Sequence, residues 1–231
     1  MDRVLVWAGC KNVRDLGGLP TRGGGRTALK AVVRSDHPNN RSPEGWASLA
    51  EYGIRTVVTL TTDGVDLDPQ LVKEPLPELS TVAVDIEDLN DYDFKQRWAD
   101  TGLWGTPLYW ADALRRWPDR HAAAVRAVAQ ADRGGVLIHC GRGHDRTGIV
   151  SLLLLHLVGV EPNAIAADYE LSQLTLAPGE RELFSRTMAA QTATAREAVL
   201  RVLDTVPIEK TLRLGGLADA DMARLQARLG P

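Results

Sequence analysis

The sequence predicts an α/β fold, with a central, mostly parallel sheet flanked by helices and a helical C-terminal third. Three observations carry that reading. Short runs rich in β-branched residues, at Ile54 to Leu60, Thr81 to Ile86 and Val136 to Ile138, alternate with stretches of helical period, as in βα units. The last of these runs passes through a small glycine-containing loop into the apolar stretch Ile149 to Val160, a strand-loop-helix order. Beyond Glu161 the pattern is helical throughout, so residues 161–231 are expected to pack on the sheet within one domain spanning 1–231.

Bulk properties narrow the class. The 231 residues are 44% hydrophobic and 25% charged, with a net charge of −3, as in a soluble globular protein. That balance exerts no long-range pull on nucleic acid or anionic membranes, so any anion site must be local. Ile149 to Val160 would span about 18 Å as a helix against the ~30 Å of a bilayer core, which makes it a core helix and predicts no integral membrane contact. The start of the chain carries too few apolar residues for a signal peptide. Two cysteines, Cys10 and Cys140, fit a reduced, cytoplasmic chain better than a disulfide framework.

In chain order, residues 1–40 contain a hairpin, its turn at Thr21 to Thr27 and its second arm at Leu29 to Val33. Ser42-Pro43-Glu44 caps a helix that runs to Gly53. Ile54 to Leu60 is a buried strand closed by Thr61 to Gly64; residues 66–80, with three prolines, form a loop; Thr81 to Ile86 is a strand. Glu87 to Trp104 is acidic and aromatic and suits a lid. Helices are expected at 107–116 and 119–131, then at 161–174, from Pro178, at 189–203 and at 218–229.

The chemistry centres on residues 139–148, His139-Cys140-Gly141-Arg142-Gly143-His144-Asp145-Arg146-Thr147-Gly148. Five residues separate the cysteine that ends a strand from the arginine that opens a helix. In so small a loop successive N–H groups converge on one anion, helped by the positive end of the helix dipole. A nucleophilic cysteine must be a thiolate, well below its ordinary pKa of ~8.5. Each unit is worth about 1.4 kcal/mol. A helix dipole supplies only about 0.3–2 kcal/mol, so loop N–H groups, the Arg146 guanidinium and a Thr147 hydroxyl bonded to sulfur are expected to supply the rest. The same donors would hold a phosphate or other oxyanion, Arg146 bidentately. Gly141, Arg142, Gly143, His144, Thr147 and Gly148 complete the expected phosphate-binding loop. No metal-ligand spacing and no cofactor motif is present in the sequence.

These residues resemble the cysteine-dependent tyrosine and dual-specificity phosphatases. With Asn12 to Gly18, Arg34-Ser35, Gly53 to Val58 and Ala167-Asp168-Tyr169, the chain from about residue 9 to 175 is similar to the bacterial tyrosine and lipid phosphatase family typified by the secreted mycobacterial enzyme. Arg34 to Pro38 and Arg142-Gly143 also resemble atypical fungal and plant dual-specificity phosphatases that act on inositol pyrophosphates. The resemblance implies a phosphomonoester hydrolase working through a phosphocysteine, with Cys140 as nucleophile, Arg146 as phosphate clamp, and a phosphorylated protein or small phosphorylated molecule as substrate. Two departures stand out. His144 replaces the lysine usual in relatives; a histidine holds at most a partial charge near neutrality, so affinity for multiply phosphorylated substrates is expected to fall and to become pH-dependent. Thr59-Leu60-Thr61 stands where the bacterial family commonly has Asp-Leu-Arg.

Several aspartates compete to protonate the leaving group. Asp145 lies in the loop itself and leads. Asp88, Asp91 and Asp93 belong to the expected lid; Asp119 sits in Trp117-Pro118-Asp119, 21 positions before Cys140, and suits a helix N-cap; Asp112 falls on a helix surface. A phosphoinositide or inositol (pyro)phosphate phosphatase with the same machinery is the alternative activity. A catalytically weak phosphate-binding module is the reading from another class, and Arg146-Thr147-Gly148 disfavours a rhodanese-like transferase.

Overall fold

The computed structural model describes residues 3–37, 42–63 and 79–231. Most of the loop expected at 66–80, together with Gly64 and Pro38, lies outside those residues. Five strands, β1 (Arg14–Asp15), β2 (Val32–Ser35), β3 (Ile54–Asp63), β4 (Ser80–Asp88) and β5 (Gly135–His139), form one sheet in the order β1-β2-β5-β3-β4. Only the β1–β2 pairing is antiparallel. The expected hairpin turn is present, with Gly24 N–H donating to Thr21 O, but the ladder partner of β1 begins at Val32 and not Leu29.

Both faces of the sheet are covered, which is why β5 is buried at every position and reads as an unbroken apolar run. Alternation sorts its side chains. Val136 and Ile138 join the main core with the long helices, while Leu137 packs with Val33, Val57, Leu49 and Trp7 on the face covered by α1 (Pro43–Tyr52). Register brings Ser35, Thr59 and His139 level across β2, β3 and β5. The carboxyl ends of three parallel strands therefore meet at one edge, where ligands of open α/β sheets bind.

β3 runs three residues past its expected end at Leu60, to Asp63. A bulge between Thr61 and Thr62 shifts the β3–β4 register so that Thr62 faces Glu87 in place of Ile86. Ile86 and Glu87 are both buried as a result, although neighbours on a regular strand point to opposite faces.

The helices are α2 (Tyr92–Phe94, continued by a π-turn over Lys95–Ala99), α3 (Trp110–Arg116), α4 (Pro118–Gln130), α5 (Arg146–Leu157), α6 (Pro162–Leu171), α7 (Pro178–Ala190), α8 (Ala195–Thr205), α9 (Ile208–Leu214) and α10 (Asp219–Leu229). Every residue from Thr147 to Leu155 on α5 is buried, as an all-round apolar sequence demands. Three boundaries differ from expectation. Asp119 lies in the first turn of α4 and not at its N-cap, since Pro118 already occupies N1 with its preset φ. The helix expected at 189–203 is two, because Thr194 and Glu197 form a capping box that starts α8 and Thr192 turns the chain at φ 51°. The short α9 interrupts what the sequence pattern left as a connection.

Candidate active site

β5 ends at His139, Cys140 follows as the first loop residue, and α5 opens at Arg146. Glycine is required at 143. Its φ is +64°, and a Cβ there would stand 2.4 Å from Ser35 O. Gly148 lets α5 approach closely, since a Cβ would meet the Trp110 and Tyr169 rings at 2.9 Å.

The loop is held from outside. Gly141 O accepts from His37 N–H at 3.0 Å, Arg142 O from Asn12 Nδ2 at 3.3 Å, and Gly143 O from both Asn12 Nδ2 and Arg34 Nη2 at 2.7 Å. In a trans peptide the C=O and the next N–H point in opposite directions. Fastening these three carbonyls outward therefore turns the N–H groups of residues 142–144 toward the interior of the loop. Among the described residues the N–H groups of 141–145 take no protein acceptor. They form a concave set of donors, as an anion site requires.

What fastens the loop is a buried charge cluster centred on Asp168. Its carboxylate accepts from Arg14 Nε (3.0 Å), Arg34 Nη1 (3.1 Å) and Arg3 Nη2 (3.0 Å), while Ser172 Oγ accepts from Arg14 (2.8 Å) and Arg34 (3.0 Å). Burial alone would raise the Asp168 pKa, but Arg14, Arg34 and Arg3 hold it well below the usual carboxylate range. Burial, aided by Arg14, brings Arg34 down to about 9. Arg14 pairs with Asp168, and Asp15 accepts from Gly17 N, Lys30 N and Tyr52 Oη.

Above the loop lies a cavity of about 300 Å3 whose lining includes Cys140, Gly141, Arg142, Asp145, Arg146, Glu87 and Trp104. Asp145 Oδ2 is hydrogen-bonded to Tyr109 Oη at 2.6 Å, and Oδ1 accepts from Trp110 Nε1 at 2.7 Å. Burial first, then the charge of Glu87, pushes the Asp145 carboxyl up to about 7. Arg146 anchors Nη1 on Leu60 O at 3.0 Å, and its Nε lies 4.0 Å from Glu87 Oε2. Burial works against its charge, but Cys140, Glu87 and Asp145 outweigh that and raise its pKa. A thiol at the floor, one arginine at the wall and a carboxyl poised near neutrality suit nucleophilic attack on a phosphorus ester.

The tyrosine phosphatase family profile matches residues 5–229. The chain belongs to that family. It is a cysteine-dependent phosphatase of the protein-tyrosine-phosphatase type. A candidate tyrosine-protein phosphatase of Cupriavidus necator is 28% identical over 98% of this chain and 80% of its own length. A triple specificity protein phosphatase of Mycobacterium tuberculosis, PtpB, is 29% identical over 62% of each chain. The solved catalytic core of Siw14 aligns over 86% of this chain and 92% of its own, at 15% identity and a TM-score of 0.44.

Within this phosphatase the other expected residues fall in place or away. His139 shapes the loop base: its Nε2 is 2.9 Å from Thr59 Oγ1 and its Nδ1 3.3 Å from Cys140 O. Thr59 to His139 and Thr61 Oγ1 to Asp85 Oδ1 (2.5 Å) are the contacts made where relatives commonly carry Asp-Leu-Arg. The Thr147 hydroxyl does not reach the sulfur; it is buried and has no hydrogen-bond partner among the described residues, because the first turn of α5 turns it into the core. Asp88 pairs with Arg120 (3.0 Å) and Asp91 with Arg116 (2.6 Å), so these acids pin the segment after β4 in place of reaching over the cavity. Asp88 and Asp119 are both absent from the cavity lining.

His144 corrects an expectation outright. It is 3% exposed, wedged between the Tyr169 and Phe184 rings, and burial with Arg34 and Arg142 lowers its pKa to about 3. It is neutral at physiological pH and brings no partial charge to the cavity. Glu87, which sequence reasoning passed over as the edge of an acidic stretch, is the residue that was missed. A carboxylate at the end of an apolar strand was the available signal.

Proposed function

We propose that the chain hydrolyses phosphotyrosine or related phosphomonoesters on protein substrates through a phosphocysteine on Cys140. The observation that carries this reading is the convergence of Cys140, Arg146 and Asp145 on one cavity over a loop with inward N–H donors. Cys140 Sγ attacks phosphorus in line while the bond to the leaving oxygen breaks. Arg146 and the N–H groups of 141–145 hold the three equatorial oxygens, and Asp145 protonates the leaving oxygen. A water then attacks the phosphocysteine, Asp145 takes its proton, and phosphate departs with Cys140 restored as thiolate.

Protein monoesters suit the cavity better than inositol polyphosphates. Among the described residues its cations are Arg142 and Arg146, Arg142 is engaged by Glu180 at 2.9 Å, and Glu87 and Asp145 add negative charge. The reduced thiol this mechanism needs fits a cytoplasmic setting. Turnover of an aryl phosphate between pH 5 and 7 tests the proposal, with Cys140→Ser expected to abolish it. No turnover by the wild-type chain, alongside stoichiometric vanadate or phosphate binding, would favour a phosphate-binding module.

A further inference from the structure

Asp145 and Glu87 are joined through one phenol. Tyr109 Oη lies 2.6 Å from Asp145 Oδ2 and also within hydrogen-bond distance of Glu87 Oε1, and Tyr109 is fully buried. A phenol has one hydrogen. Two carboxylates in contact with it cannot both be satisfied, so one of the three groups must contribute a second proton. Burial holds the Tyr109 hydroxyl well above its ordinary pKa, with Asp145 and Glu87 adding to the effect, so the phenol keeps its own hydrogen.

The other donors decide where the extra proton resides. Glu87 is served by Trp104 Nε1 (3.1 Å) and Thr62 Oγ1 (2.9 Å) and lies 4.0 Å from the Arg146 guanidinium. Among the described residues Asp145 has, besides Tyr109, only Trp110 Nε1 at 2.7 Å. More donors favour the anion at Glu87. We propose that Glu87 and Tyr109 are positioning residues that store the catalytic proton on Asp145: Tyr109 donates to the Glu87 carboxylate and accepts from protonated Asp145. This rests on the reading of Asp145 as the general acid. The charged and titratable groups facing Asp145 are Glu87 from β4, Tyr109 ahead of α3, Arg146 and Cys140 from its own loop, and Tyr169 from α6. Of these, Glu87 is the negative charge reached through a hydrogen bond.

One catalytic cycle balances. Asp145 gives its proton to the leaving oxygen, both carboxylates are then ionised with a single phenolic hydrogen between them, and the water that cleaves the phosphocysteine returns a proton to Asp145. The strained two-carboxylate state lasts only as long as the intermediate.

The test compares pH profiles of kcat for phenyl phosphate, whose leaving group needs a proton, and for 2,4-dinitrophenyl phosphate, whose leaving group does not. Glu87→Gln is expected to move the basic limb with phenyl phosphate to lower pH by about one unit or more, roughly a tenfold loss above the limb. Tyr109→Phe is expected to do likewise, and both variants are expected to turn over dinitrophenyl phosphate with the wild-type basic limb. A rise in KM with an unmoved limb would overturn the proposal and leave Glu87 as a buttress of Arg146. Persistence of the basic limb in Asp145→Asn would instead overturn the reading of Asp145 as the acid. An infrared measurement needs neither variant of the pair. The carboxylic-acid C=O band absent from Asp145→Asn should be present in Cys140→Ser at pH 6, and its absence there would overturn proton storage on Asp145.

Discussion

Two aspartates sit on either side of the same loop, and they titrate in opposite directions. Asp168, behind the loop, meets Arg3, Arg14 and Arg34 and is held ionised well below the ordinary range. Asp145, in front of it, meets two neutral groups, Tyr109 and Trp110, and the charge of Glu87, and is pushed up to about 7. Asp168 is buried and Asp145 is half-buried at the cavity wall, so lost solvation penalises the charge of each; the neighbours decide which charge survives. Behind the loop a permanent anion ties three arginines together and so holds the carbonyls that aim the N–H donors. In front, a carboxyl that resists ionisation keeps a proton to give. One residue type thus serves as fastening on one face and as acid on the other.

The largest expected break in this comparison is Asp168→Asn. It strands three guanidinium groups, two of them deeply buried, and should cost about 3–5 kcal/mol, with a fall in Tm on the order of 10 °C in thermal denaturation. Asp145→Asn removes a carboxyl that burial already disfavours, so its Tm should hold or rise while kcat on phenyl phosphate falls at least about a hundredfold at pH 6. Equal destabilisation by the two substitutions would end the comparison.

pH sharpens it next. The folded pKa of Asp168 lies below its unfolded value of ~3.9, so its stabilisation is present above that pH and is lost as pH falls through the folded value. The folded pKa of Asp145 is raised, so its contribution is greatest below ~3.9 and is lost as pH rises through about 7. Wild type should therefore lose stability relative to Asp145→Asn between pH 4 and 7, and gain it relative to Asp168→Asn on leaving acid, which denaturant titration at several pH values will show. The smallest effect belongs to the rim. Glu180→Ala breaks only the half-exposed pair with Arg142 and should alter stability by less than about 1 kcal/mol, its expected trace being a modest fall in KM for anionic substrates as Arg142 is released.

His144→Lys separates the charge expected at that position from the burial found there. A lysine would place an ammonium between Tyr169 and Phe184 beside Arg34 and Arg142, so the expected outcome is a lower Tm with no gain on inositol phosphates.

The strand, the five-residue loop, the helix, and the roles proposed for Cys140 and Arg146 were legible because all are consecutive in the chain, from Gly135 to Leu157, where spacing alone sets the geometry. The helix caps at Ser42 and the burial of Ile149 to Leu155 were equally local. Asp145 was named from its place in the loop, but its proton could not be, since that depends on Glu87 and Tyr109, 58 and 36 positions away. Glu87 reaches the cavity through a bulge in the β3–β4 ladder, and no side-chain pattern announces a one-residue register shift. His144 was misread for the related reason that charge is set by surroundings: a loop position that looks exposed in sequence is sealed by α6 and α7. Asp168 lies 154 residues from Arg14, and only the folded chain brings them to 3.0 Å. By itself the sequence determined which groups can do the chemistry, because bond lengths and short loops fix local geometry. The tertiary structure decided which of them carry charge, because desolvation and Coulomb forces act between residues that only packing makes neighbours.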